Sequence, residues 1–203
     1  IEPSWNVPGS IGCWRGCTLD RAVSNFESFK NHVSVLFWSL GNESYAGDIL
    51  VEMNRYYKEK DPDRLVHYEG VAENRPYEDL ISDMESQMYA SPEKIKEYLE
   101  NNPKKPFILC EYMHDMGNSL GGMESYIRLL DQYEDYQGGF IWDYIDQALF
   151  VKDEVTGRDV LRYGGDFDDR PSDYEFSGNG ILFADRTEKP AMQEVRHYYG
   201  LRR

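Results

Sequence analysis

Three cysteines, Cys13, Cys17 and Cys110, are all the thiols in 203 residues. They cannot all pair, and so low a count excludes a disulfide scaffold and points to a reducing, cytoplasmic setting. Positive charge is scarce too: Lys and Arg total 22 against 37 Asp and Glu, a formal charge of -15. Affinity for phosphates comes mostly from clustered Lys and Arg, so this balance argues against nucleic acid and against an anionic membrane surface. Apolar runs such as Val35-Leu36-Phe37-Trp38 stop at four residues, where a membrane span needs about 20. Neither a Gly-x-Gly-x-x-Gly string nor a phosphate loop occurs, which disfavours the nucleotide-binding folds. No signal peptide is visible, although the chain opens at Ile1 and not at Met.

What is present suits a folded chain. Hydrophobic residues make up 40% and charged residues 29%, outside the composition of disordered segments. A chain of this length buries roughly 70% of the surface its unfolded form exposes, enough for one good core or two small ones.

Ile1 to Thr18, with Pro3, Pro8, Gly9, Gly12 and Gly16, reads as an irregular lead-in. Leu19, Val23, Phe26 and Phe29 predict a helix over 19–31. Val33 to Leu40 is an apolar, β-branched run that ends at Gly41-Asn42-Glu43-Ser44, as a buried strand would. Asp48 to Lys60 has helical spacing, and Asp61-Pro62 stops it. The unit recurs: Leu65 to Tyr68 ends at Glu69-Gly70, and a strand within 80–89 ends at Met88-Tyr89. Ser91-Pro92 caps a helix to about Asn101, with Pro at the first helical position. Pro106 to Cys110 is the clearest strand and ends at Glu111; a helix over 122–133 then leads to strand Gly139 to Trp142, ending at Asp143. The tail from Asp153 is weakly patterned. The expected divisions are a lead-in and helix over 1–30, barrel repeats over 31–150 and barrel-end loops over 151–203.

Alternating strands and helices imply an α/β architecture with a parallel sheet and crossover helices. With nucleotide folds disfavoured, a (β/α)8 barrel remains. Its full set takes about 250 residues, so only part of one, roughly strands 4–8, fits here. Active sites of such barrels lie at the C-terminal strand ends, which puts Glu43, Glu69, Tyr89, Glu111 and Asp143 together. Two carboxylates on different strand ends are what glycoside hydrolysis requires, and 14% aromatics suit a sugar site. Each residue has a bland alternative: a Glu after a strand is commonly a helix-start or salt-bridge group, and Trp38 and Trp142 are more often core than sugar platforms. His32, His67 and His197 show no metal-ligand spacing, and Cys13-x-x-x-Cys17 lacks a second pair. Spacing alone does not choose two carboxylates from these five or so candidates.

Whole strings carry further information. Trp38-Ser39-Leu40-Gly41-Asn42-Glu43-Ser44 resembles the acid/base motif of glycoside hydrolase family 2. Cys110-Glu111-Tyr112-Met113-His114-Asp115-Met116-Gly117-Asn118-Ser119 resembles the nucleophile segment of that family's β-galactosidase branch. Gly138-Gly139-Phe140-Ile141-Trp142-Asp143-Tyr144-Ile145-Asp146-Gln147, Tyr163-Gly164-Gly165-Asp166-Phe167 and Asn179-Gly180-Ile181-Leu182-Phe183-Ala184-Asp185-Arg186 are similar to the same branch, in its order.

The resemblance implies hydrolysis of terminal β-D-galactose from lactose-type galactosides with retention. Glu43 is then the general acid/base and a Mg²⁺ ligand, Glu111 the nucleophile, and Tyr89 its hydrogen-bond partner. Asn42 binds the sugar 2-OH, His114 binds galactose hydroxyls, and Trp142 forms an apolar floor under the sugar; Met88, which precedes Tyr89 as in the family, is placed in the sugar site. The Phe176 carbonyl and the Asn179 side chain match the family's Na⁺ ligands. Glu43 must be protonated near neutral pH, with its pKa raised by the nucleophile's charge. His32-Val33-Ser34 departs from the family's His-Pro-Ser. The remaining Mg²⁺ ligands, a Glu and a His, belong to an earlier strand that precedes this chain's start. The expected partners are a β-galactoside, the remaining domains of a full-length enzyme and further copies in a homo-oligomer. A chain of this extent is expected to be inactive alone; the alternative is a non-catalytic assembly half of a split or complementing enzyme. Sibling activities such as β-glucuronidase fit the Cys110-Glu111-Tyr112 and Trp142-Asp143 strings less well.

Overall fold

The computed structural model describes residues 7–117 and 119–200; expectations placed on residues 1–6 and on Asn118 lie outside them. The chain divides into two compact units. The first comprises Ile1–Met88, Ile95–Cys110 and Asp135–Gln137, and the second Tyr89–Lys94, Glu111–Glu134 and Gly138–Arg203.

In the first unit, α1 (Val7–Ser10), a 3-10 turn and α2 (Arg15–Phe29) precede β1 (Phe37–Ser39). The lead-in is therefore helical where the Pro and Gly content predicts irregularity. Gly9 explains why: a Cβ there would lie 2.1 Å from the Tyr45 carbonyl oxygen, so this glycine permits close packing and does not mark a loop. The run from Val33 forms a strand only over Phe37–Ser39, because only those residues pair with β2 (Leu65–His67), in parallel register. Val33 is left 93% exposed.

Between β1 and β2 runs α3 (Asp48–Lys60), as its pattern predicts. Ile49, Leu50, Met53 and Tyr57 are its buried face, at helical spacing. Asp48 in the first turn and Lys58 and Lys60 in the last complement the helix dipole. Burying each of its three aliphatic side chains contributes roughly 1.5–3 kcal/mol. Trp38 anchors the core: its ring stacks on Tyr57 with centroids 5.2 Å apart, the Arg64 guanidinium lies over it, and its Nε1 donates to Asp61 at 3.0 Å. This Trp is a core residue.

After β2 come α4 (Glu78–Ile81), β3 (Glu85–Met88), α5 (Pro92–Glu100), β4 (Phe107–Tyr112), α6 (Met123–Gln132) and β5 (Tyr136–Ile141). Strands β3, β4 and β5 hydrogen-bond in that order. Glu85 N donates to Pro106 O and Tyr89 N to Glu111 O; the bonds advance along both chains together, as parallel strands require.

The second unit is built on Met123, Ile181, Leu182 and Val195, with Met113, Ile127, Ile141 and Ile145 packed against them. The weakly patterned tail is more ordered than its composition predicts. It contains an antiparallel hairpin of β6 (Leu149–Lys152) and β7 (Asp159–Arg162) and a helix, α7 (Met192–Gly200). The hairpin turn is held by Asp153, whose Oδ1 accepts bonds from Thr156 N and Oγ1 at 2.7 and 2.8 Å, as Asx turns do. Among the described residues no sheet closes on itself, and no helix is long and apolar enough to cross a membrane.

Candidate active site

Asn42 and Glu43 follow β1 in the first unit and both are exposed. Glu43 has a left-handed backbone, φ 56°, which costs a non-glycine residue of order 1–3 kcal/mol unless its surroundings impose it. Its backbone N–H donates to the Glu69 carboxylate, with Oε1 2.6 Å away. Glu69 itself is buried. Met88, the last residue of β3, is half-buried.

The other predicted residues lie in the second unit. Tyr89 follows β3, also left-handed at φ 50°, and its hydroxyl donates to Glu111 Oε2 at 2.7 Å. Glu111 is half-buried near the end of β4. A bond from a hydroxyl to a carboxylate is about twice as strong as one between neutral groups and favours the ionised form. The Tyr89 ring meets His114 at 5.8 Å, and His114 meets the exposed Phe176 ring edge-on at 6.1 Å. Met116 N donates to His114 Nδ1 at 3.3 Å. In neutral imidazole that places the ring proton on Nε2, so His114 presents a donor there. Tyr89, Glu111, His114 and Phe176 thus form one continuous cluster.

Trp142 is 36% exposed. Its backbone is fixed on both sides: its N donates to Tyr112 O, its O accepts from Asp115 N, and the peptide to Asp143 is cis. The exposed part of the indole can meet an apolar surface, such as the C–H face of a sugar. Asp143, the fifth strand-end candidate, bonds to the following Tyr144 N through Oδ1 at 2.6 Å and to Asn179 O through its backbone. That makes it a loop fastener.

Asn179 is buried, and its Nδ2 donates to the Phe176 carbonyl. Its Oδ1 has no hydrogen-bond partner. A buried acceptor left unsatisfied costs about 1–3 kcal/mol, so the residue fits a small cation that would take this oxygen and the Phe176 carbonyl as hard oxygen ligands. For Mg²⁺ the fit is partial: Glu43 offers one exposed carboxylate, and among the described residues it belongs to no group of three or more His, Cys, Asp or Glu ligand atoms.

A different trio does converge. His67, Glu69 and Cys110 bring one ligand atom each to within 4.8 Å of one another, a grouping that residues so far apart in sequence conceal. The His67 ring is already engaged on both sides, Nδ1 by Ser39 Oγ at 3.0 Å and Nε2 by Ser86 Oγ at 2.7 Å. Its burial pushes the imidazole down to about 4, so it is neutral. Those bonds occupy both ring nitrogens of His67.

The second unit also holds charges that sequence reading missed. Lys189 Nζ pairs with Asp146 Oδ1 at 2.8 Å, both nearly buried. Asp115 is buried, and that burial pushes its carboxyl up, opposed by Lys189. Nothing in local spacing signals these groups, because 43 residues separate Lys189 from its partner.

The TIM barrel domain of glycosyl hydrolases family 2 matches residues 1–202. The chain belongs to that family. Among its relatives, the beta-galactosidase large subunit of Latilactobacillus sakei is 73% identical over 200 residues, 98% of this chain and 32% of that protein. The beta-galactosidase of Halalkalibacterium halodurans is 60% identical over 199 residues, 98% of this chain and 19% of its own length. This chain therefore spans a third or less of these family 2 relatives. Solved structures show the same fold at low identity. The family 2 beta-galacturonidase of Eisenbergiella tayi, bound to galacturonate, superposes with TM-score 0.57 at 14% identity, over 94% of this chain and 37% of that one. The beta-D-glucuronidase of Dictyoglomus thermophilum gives 0.58 at 16%, over 93% and 36%. The fold is part of a family 2 (β/α)8 barrel.

Proposed function

We propose that this chain carries both catalytic carboxylates of a retaining β-galactosidase. The observation that carries the reading is the Tyr89 hydroxyl on Glu111 Oε2, at the end of a barrel strand and beside His114. A nucleophilic carboxylate must stay ionised, and a donor on one oxygen keeps it so while the other faces substrate.

In the first step Glu111 attacks the anomeric carbon, and the bond to the leaving oxygen breaks as Glu43 gives that oxygen its proton. The product is a galactosyl ester of Glu111. Glu43, now ionised, takes a proton from water, whose oxygen attacks the anomeric carbon and frees Glu111. Retention requires the two carboxyls about 5–5.5 Å apart in the working enzyme. Asn42 binds the 2-OH, His114 Nε2 donates to a galactose hydroxyl, and Trp142, with Met88 at the margin, underlies the ring. Asn179 and the Phe176 carbonyl would hold Na⁺, and Glu43 one coordination position of Mg²⁺; bound there, the ions supply positive charge that orients the sugar and the acid/base carboxylate.

The names of the relatives support β-galactosides as the substrate class; lactose-type galactosides are the substrates this reading assigns. "Large subunit" in those names supports a need for further domains or subunits, so this chain alone is inactive. A homo-oligomeric assembly and a cytoplasmic location complete the reading.

Glu111→Gln in the full-length enzyme tests it. Turnover of an aryl β-galactoside should fall by at least about 10⁴-fold, with an unchanged far-UV spectrum and Tm. Wild-type turnover in that variant would sink the assignment.

A further inference from the structure

We propose that Tyr68 and Glu69, on the segment leaving β2, are positioning residues that fix the backbone of Glu43 so that its carboxyl delivers the proton to the leaving oxygen. This rests on the reading of Glu43 as the general acid/base.

Glu43 is exposed, so the direction of its side chain depends on its own backbone. That backbone is left-handed at φ 56°, a conformation that persists in a non-glycine residue only when the surroundings over-determine it. Three consecutive residues supply the restraint. Glu69, only 6% exposed, accepts the Glu43 N–H at 2.6 Å, a charge-assisted bond stronger than a neutral one. Tyr68, fully buried, donates its hydroxyl to the Ser44 carbonyl, one residue further along the same loop. Gly70 lets the loop come that close: a Cβ there would sit 2.5 Å from Ser44 O.

A buried carboxylate is costly unless bonded. Placing one against the backbone N–H of a strained residue makes sense if the loop's geometry matters more than its stability. Only three residues separate the end of β1 at Ser39 from Glu43, so loss of the clamp would swing the carboxyl by an ångström or more. Such displacements cost about 10²-fold in rate.

The reaction itself provides the readout. A proton donor matters for a poor leaving group and hardly at all for 2,4-dinitrophenolate, and kcat/KM reports the first step. In the full-length enzyme, Glu69→Met should lower kcat/KM for methyl β-galactoside by about 10–100-fold and for dinitrophenyl β-galactoside by less than about 3-fold. Glu69→Gln, which keeps an acceptor oxygen, should restore most of the loss. An equal fall on both substrates, or no fall on either, overturns the proposal. If Glu69→Met does not fold, as judged by its unfolding transition, Tyr68→Phe is read by the same ratio: selective loss supports the clamp and uniform loss overturns it. Glu43→Gln is the control. If it lacks the leaving-group pattern, the acid/base reading fails; if it shows the pattern and the clamp variants do not, only the positioning role fails.

Discussion

The Tyr89 hydroxyl lies 2.7 Å from Glu111 Oε2, joining the residue that follows β3 to one near the end of β4. Parallel pairing brings the two strand ends level, with Tyr89 N on Glu111 O. Tyr89→Phe removes the donor and leaves the ring against His114. Hydrogen bonds to charged groups are worth about 1.5–3 kcal/mol, so kcat in the full-length enzyme should drop about 10–150-fold with Tm changed little. Steady-state kinetics with a thermal melt decide this; an unchanged kcat would remove Tyr89 from the site.

The buried Asn179 Oδ1 without a partner leads to an ion dependence. Replacing Na⁺ by choline should raise KM for the galactoside several-fold, in line with about 1 kcal/mol or more for an unsatisfied acceptor. Asn179→Ala should remove the response to Na⁺. Equal sensitivity to Na⁺ in wild type and variant would count against this pair of oxygens as the cation's ligands.

The pair of Lys189 and Asp146 is nearly buried, at 9% and 12% side-chain exposure, and Asp146 Oδ1 also accepts Gly180 N. Lys189→Met strands a buried carboxylate and should cost about 3–5 kcal/mol, read as a lowered denaturation midpoint. Adding Asp146→Leu should recover part of that loss, since an apolar pair removes the stranded charge. A single variant as stable as wild type would show that water reaches the pair.

Burial holds His67 at about 4, well below the 6.5 of an unfolded chain. Between these values the unfolded chain binds a proton that the folded chain refuses. Stability is therefore full above about pH 6.5 and is lost as pH falls toward 4, by up to about 3 kcal/mol. His67→Gln should flatten the acid limb of Tm against pH. An unaltered slope would assign the acid sensitivity to other groups.

Sequence alone determined more of the family than of the architecture. Helix α3 was legible to its end residues because a buried face at helical spacing and the stop at Asp61-Pro62 are local properties. The strand-end strings around Glu43 and Glu111 carried the family, and the domain match agrees. What stayed hidden depended on distant neighbours. Gly9 looks like a loop former until the Tyr45 carbonyl is found against it, and Val33 looks like strand until it is clear that β2 pairs no earlier than Phe37. Glu69 was one of four equivalent strand-end carboxylates in sequence. Folding returned it to the Glu43 amide 26 residues away, and the Lys189–Asp146 pair formed in the same manner. Periodicity and motif strings act over a few residues, whereas buried hydrogen bonds and ion pairs depend on which segments the completed fold brings together.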